Sequence, residues 1–227
     1  MIVRRTSLLL LAALVFAGPA AAANKWTDMI AATPEGGIRI GNPAAKVKLV
    51  EFASYTCSHC KHFNEDGVPA LKAKYIATGK VSLEQRSFVR NGPDFAASLL
   101  VGCLQPRPAL GLVEALFAEQ DKWIVPFTTI APADSQAIAL LPPEKQPARI
   151  AELTGLDGWA AKRGLPLETG RACLADKAAQ DRLLAIRAEA IDRYKLEGTP
   201  HFVMNGKTVA GVSDWAGLEP LVQAALK

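Results

Sequence analysis

Apolar positions fall at strand spacing near both ends of the chain and at helical spacing through its middle. Ile38-Arg39-Ile40 alternates and stops at Gly41-Asn42-Pro43, a strand followed by a turn. Val47 to Phe52 is apolar at nearly every position, as a strand buried on both faces requires. Glu51 interrupts that run, and an acid inside a central strand is costly unless it has a partner or a task. The helix expected from Cys57 carries Phe63 and then meets Gly67-Val68-Pro69, where the proline should kink or restart it. Its second piece ends at Thr78-Gly79, with the glycine suited to a C-terminal cap. Val81 to Val89 reads as another strand, completing a strand–helix–strand unit. Ahead of all this, residues 24–33 are expected to pack as a short helix or arm, with Trp26 and Ile30 on one side.

From Pro93 to Tyr194 strand signals vanish and apolar pairs recur at helical spacing, as in Phe95/Leu99, Leu110/Val113 and Ile150/Leu153. Prolines at 106, 108, 126, 132, 142, 143, 147 and 166 divide this region into short helices. A longer one is expected from Asp176 to Tyr194, with Leu183, Ile186, Ala190 and Ile191 on one face. Strand character returns at His201-Phe202-Val203-Met204 and Lys207-Thr208-Val209, joined by Asn205-Gly206, a strong hairpin signal. A last helix is expected from Asp214 to Leu226. The order is therefore βαβ, helical insertion, ββα. It implies one discontinuous α/β domain, 24–92 plus 195–227, with a helical subdomain at 93–194 inserted after the second or third strand.

The first residues carry an address rather than a fold. Arg4-Arg5, the apolar run Leu8 to Phe16 and the small residues Ala20 to Ala23 read as a signal peptide, residues 1–23, cleaved near Ala22 or Ala23. The apolar run ends at Gly18-Pro19 and is short for a membrane span. Loss of Arg4 and Arg5 lowers the formal charge from +4 to +2. That is too little for a nucleic-acid footprint, and no basic stripe is interleaved with aromatics.

Four cysteines remain in the exported chain: Cys57, Cys60, Cys103 and Cys173. Cys57-Ser58-His59-Cys60 places two sulfurs three residues apart at a strand-to-helix junction, with the first facing unpaired helix amides. Those amides, and His59 if it donates a hydrogen bond, favour the Cys57 thiolate. The bland alternative is a structural disulfide or half a zinc site, but no second Cys-x-x-Cys or His-x3-His supplies the other two ligands. Cys103 and Cys173 lie 70 residues apart in the helical region; in an oxidising compartment a second disulfide is preferred over two buried free thiols. His62 reads as a solvated helix residue and His201 as surface or filler.

With Gly198-Thr199-Pro200 before the hairpin, the Cys-x-x-Cys at the first helix and this order of elements, the chain resembles the thioredoxin fold. The helical insertion, export signal and Cys-x-His-Cys resemble the DsbA-type thiol:disulfide oxidoreductases. The resemblance implies that Cys57 is an exposed nucleophile, Cys60 the buried resolving thiol, and Ser58-His59 the dipeptide that tunes the potential. Pro200 would be a cis-proline facing the disulfide, and the Thr199 backbone would bind an extended substrate. Glu51 would assist proton transfer at Cys60; the residues alone leave a purely structural acid open. The implied protein is a monomeric periplasmic oxidase acting on reduced exported proteins, reoxidised by a DsbB-like membrane partner, with no cofactor and no metal. A disulfide isomerase or reductase of the same fold is the alternative. Ser58 stands where the best-known strong oxidase of the family has proline.

Overall fold

The computed structural model describes residues 26–227; the expected signal peptide lies outside the described residues. A six-stranded sheet runs β1 (Ile30–Ala32), β2 (Ile38–Gly41), β4 (Val81–Ser87), β3 (Val47–Ala53), β5 (His201–Met204), β6 (Lys207–Val209). Only β3 and β4 are parallel, in register from Val47↔Val81 to Ala53↔Ser87; every other pairing is antiparallel. This is a mixed α/β thioredoxin-like fold, with a run of helices between β4 and β5.

The parallel pair needs a crossover, and one helical run supplies it. It comprises α1 (Ser58–His62), α2 (Val68–Leu71) and two wider π-type turns, Phe63–Gly67 and Lys72–Ile76. Of the kink or restart expected at Pro69 the restart is what forms, α2 beginning at Val68 with Pro69 in its first turn, next to this widening. Val68 N–H bonds back to the Phe63 carbonyl, and the helix continues although Pro69 can give no hydrogen bond. Phe63, Leu71 and Ile76, with Leu218 and Val222 of α12 (Trp215–Leu226), pack on Val47, Leu49 and Leu83 of the sheet. On the other face Ile186 and Ala190 of α11 (Lys177–Asp192) cover Phe52 and Val203. Asp176 caps α11, its carboxylate accepting from Ala178 N at 2.8 Å and Ala179 N at 3.2 Å. Ile191, expected on the buried face, is 37% exposed.

A third cluster is built by the inserted helices at the C-terminal end of β3. Ala96, Leu99 and Leu100 of α3 (Gly92–Gly102) and Leu112, Val113, Leu116 and Phe117 of α4 (Pro106–Ala118) enclose Tyr55, Cys57 and Cys60. Shorter helices come next: α5 (Gln120–Trp123), α6 (Val125–Thr128), α7 (Pro132–Ala139), α8 (Gln146–Thr154), α9 (Leu156–Ala161) and α10 (Leu167–Leu174). Prolines sit in the first turn of α4, α6, α7 and α8, where a missing N–H costs nothing. Cys103 and Cys173 form a disulfide with Cα atoms 5.9 Å apart, tying the end of α3 to α10.

Two expectations about the first residues change. Ile30–Ala32 is strand rather than helix or arm, because it pairs along β2 and finishes a hairpin at the sheet edge. Four strands therefore precede the insertion, not two or three. Trp26 packs instead on Gly79, where φ is +73° and a Cβ would lie 2.7 Å from the indole nitrogen; glycine is required there by both backbone and space. At the far end Asn205 and Gly206 both have positive φ, 50° and 81°, as the tight hairpin turn demands. The Asn205 Oδ1 also accepts from Lys48 N at 2.8 Å, locking the hairpin to β3.

Candidate functional site

β3 is buried on both faces from Glu51 to Ala53, and this C-terminal end delivers the next four residues, Ser54-Tyr55-Thr56-Cys57, to the rim of the sheet. Cys57 is the N-cap of α1, with extended backbone, and its carbonyl takes the first helical bond from Lys61 N at 3.1 Å. Its side chain thus meets the free amides of the first turn. The Cys57 thiol is pulled down to about 4 by hydrogen bonding from the Cys60 thiol, by the Thr199 side chain, and by the backbone N–H groups of Cys60 and His59. Burial opposes these contacts and loses to them. Cys60 goes the other way: burial, the bond it gives to Cys57 and the nearby Glu51 charge hold it well above the usual thiol range. The two sulfurs of one motif are therefore pushed apart into a thiolate and a thiol. Ser54 N–H points at Cys60 Sγ from 3.5 Å.

Cys57 is not the exposed thiol the family resemblance implies: 3% of it reaches solvent and none of Cys60 does. The inserted helices and the loop before β5 together cover it. The Thr199–Pro200 peptide is cis, Pro200 is buried, and the Thr199 carbonyl lies 3.1 Å from Cys57 Sγ. As a thiol Cys57 donates to that carbonyl; once ionised it can only accept. Arg90 Nη1 reaches Thr199 Oγ1 at 3.4 Å, so the loop is also held from the β4 side. Ser58 and His59 are exposed beside the sulfurs, on the outer face of α1.

Glu51 lies fully buried in β3, paired in register with Gln85 of β4. Gln85 Nε2 donates to Glu51 Oε2 at 2.9 Å, while Oε1 is buried without a partner. Burial raises this carboxyl to about 8, against the Gln85 bond and with help from the Cys57 charge. It is a protonated acid at neutral pH, electrostatically coupled to both cysteines. His201 stands opposite Phe52, half-buried, with its Nε2 buried and unpartnered. Burial lowers its pKa.

Several residues in the surroundings carry no sequence signal. Asp94, fully buried, accepts from Tyr55 N at 2.8 Å and Arg90 N at 3.0 Å. Burial raises it to about 6. Asn91-Gly92-Pro93-Asp94 could have been read as a capped helix start, since Asn91 Oδ1 accepts from Asp94 N at 2.9 Å, but that pattern says nothing about Tyr55. Gln120 of α5 donates to Tyr55 O at 2.8 Å and Cys57 O at 3.0 Å, and nothing in its local sequence announces this. Among the described residues no group of three or more His, Cys, Asp or Glu side chains could hold a metal ion.

Residues 33–224 match the profile of the thioredoxin family. The crystal structure of a protein-disulfide isomerase from Novosphingobium aromaticivorans superposes with a TM-score of 0.79 and 36% identity, over 83% of this chain and 96% of that one. Wolbachia pipientis alpha-DsbA1 shares the fold at a TM-score of 0.67 and 22% identity, over 86% of this chain and 93% of its own. A Rickettsia bellii protein, assigned by inference as a protein-disulfide oxidoreductase, is 29% identical over 173 residues, or 76% of this chain. The chain spans only 58% of that relative's length.

Proposed function

The chain belongs to the thioredoxin family and is DsbA-like in fold, and from that premise we propose that it is a protein thiol-disulfide oxidoreductase working as an oxidase. The observation that carries this reading is the split within one motif: a Cys57 sulfur at about 4, covered by the Thr199–Pro200 loop, over a Cys60 thiol held high. A stable thiolate stabilises the reduced protein, and so makes the disulfide form a stronger oxidant.

The exchange starts from the Cys57–Cys60 disulfide. A substrate thiolate attacks Cys57 Sγ; the new bond is a mixed disulfide and the bond that breaks releases Cys60. Cys60 is a poor leaving group as a thiolate, and the protonated Glu51 beneath supplies its proton. The substrate's second thiolate then attacks the substrate sulfur of the mixed disulfide and expels Cys57 as a stable thiolate. The substrate loses two electrons and gains a disulfide, and the enzyme keeps the electrons as one thiolate and one thiol. Thr199 offers its backbone to an extended substrate chain beside Pro200, and Ser58 and His59, exposed next to Cys57, tune the potential and meet the substrate.

In this reading the protein is a monomer exported to the periplasm by residues 1–23. It acts on reduced, folding exported proteins and is reoxidised by a DsbB-like membrane protein. The Cys103–Cys173 disulfide has a structural role and stays out of the exchange. A second reading, isomerase, is favoured by one observation, the name of the Novosphingobium relative. The experiment mixes oxidised protein with a reduced, unfolded secreted protein and follows substrate disulfides. Rapid stoichiometric oxidation is expected; Cys60→Ala, offered a disulfide-bonded form of the same substrate, is expected to hold a mixed disulfide, its Cys57 thiolate attacking the substrate disulfide and expelling one substrate thiolate. Faster reshuffling of scrambled disulfides than net oxidation would favour the isomerase.

A further inference from the structure

The backbone of the loop that delivers Cys57 is held by two buried side chains of the helical layer. Asp94, 0% exposed, takes the Tyr55 N–H on Oδ1 at 2.8 Å and the Arg90 N–H on Oδ2 at 3.0 Å. Gln120, 4% exposed, spends its amide nitrogen on the carbonyls of Tyr55 and Cys57, at 2.8 and 3.0 Å. The Tyr55 peptide groups are therefore gripped on both sides. The Cys57 carbonyl, which also starts the helix by accepting from Lys61 N, is held from outside that helix. Next to Gln120, Asp121 pairs with Lys61 at 2.7 Å, so α5 is fastened to α1 at the surface as well.

We propose that Gln120 and Asp94 are positioning residues for disulfide exchange, clamping Tyr55 to Cys57 so that the Cys57 sulfur stays against the amides of His59 and Cys60 and against Thr199. This rests on the reading of Cys57 as the exchanging sulfur. The physical case is the placement of the donors. A buried carbonyl left without a partner costs free energy and the chain relaxes to recover one. Without Gln120 the Tyr55 carbonyl has no partner and the Cys57 carbonyl keeps only Lys61 N; the Tyr55 peptide lies two residues before the Cβ that aims the sulfur, so relaxation there moves the sulfur off its stabilising amides. The helical layer then does more than cover the site; it sets how stable the thiolate is.

The chain contains its own control. Gln180, 5% exposed in α11, donates in the same manner to two carbonyls, Glu144 O and Leu174 O, both at 2.9 Å, and touches nothing of the site. Gln120→Met and Gln180→Met each remove the donors and keep side-chain length. Both are made in the full chain and compared by urea unfolding, by the ultraviolet thiolate titration of Cys57 and by equilibrium with glutathione. Both variants are expected to lose stability. Only Gln120→Met is expected to raise the Cys57 pKa, by about one unit, and to weaken the oxidising equilibrium roughly tenfold, equivalent to about 30 mV. The other titratable groups coupled to that sulfur, Cys60 and Glu51, are unchanged in both variants. The shorter amide of Gln120→Asn reaches one carbonyl at most and is expected to shift the titration in the same direction by less; it decides the matter if Gln120→Met does not fold. A wild-type titration of Cys57 in the Gln120 variants, or an equal shift in Gln180→Met, would overturn the clamp. Failure of the wild-type chain to oxidise any reduced protein overturns the oxidase reading instead, since the titration needs no substrate.

Discussion

At the scale of single residues, the site works by dividing protons among three buried groups that sequence neighbours alone would treat alike. Cys57, Cys60 and Glu51 are legible because spacing marks them: a Cys-x-x-Cys at a strand end, and an acid where a central strand should be apolar. Gln85, Asp94 and Gln120 are not, because each gains its meaning from a partner on another element. Glu51 makes this testable. Its folded pKa, about 8, is raised above the ordinary carboxylate value of 4.5, so the folded chain holds a proton that the unfolded chain releases. Its contribution is full below pH 4.5 and is lost as pH rises through 8; by pH 7 the loss amounts to about 3 kcal/mol. Glu51→Gln keeps an acceptor for Gln85 and cannot ionise. Urea unfolding of the reduced protein is expected to show the variant gaining up to that amount relative to wild type between pH 4 and pH 7, while release of Cys60 from the disulfide slows. A wild-type pH slope in the variant would mean that Glu51 is not the buried proton.

Among elements, local patterning serves well where one segment decides its own structure. The Asn205-Gly206 turn, the alternation in β2 and the capped start of α11 need no tertiary information. It serves poorly where pairing decides. Three residues, Ile30 to Ala32, are too few to announce a strand, and only the edge of β2 makes them one. Pro69 shows a related limit, since a proline inside a helical pattern implies a kink or a restart and does not reveal the wider turns on either side of that restart. The Cys103–Cys173 link belongs to this scale, because it joins α3 to α10 across 70 residues. Closing a loop of that length is worth about 4 kcal/mol in the chain-entropy account. The double variant Cys103→Ala/Cys173→Ala is expected to lose stability of that order in urea while its glutathione equilibrium at Cys57–Cys60 stays put. A large change in that equilibrium would show that the structural disulfide feeds the site.

For the whole molecule, the order of elements read from the sequence is enough to find the fold, with the strand count before the insertion short because the first hairpin carries so little pattern of its own. What the order does not show is how the two parts meet. The sheet delivers Cys57, Glu51 and the Thr199–Pro200 loop from β3 and the approach to β5, and the inserted helices close over the same point with Asp94 and Gln120. The sulfur that results is nearly covered yet ionised, a combination favouring an oxidant. The equilibrium of Cys57–Cys60 with glutathione tests this most directly. The expected potential lies closer to about −120 mV, the value of a strong DsbA-type oxidant, than to the roughly −270 mV of thioredoxin. A potential at or below thioredoxin's would contradict the oxidase account, whatever the fold.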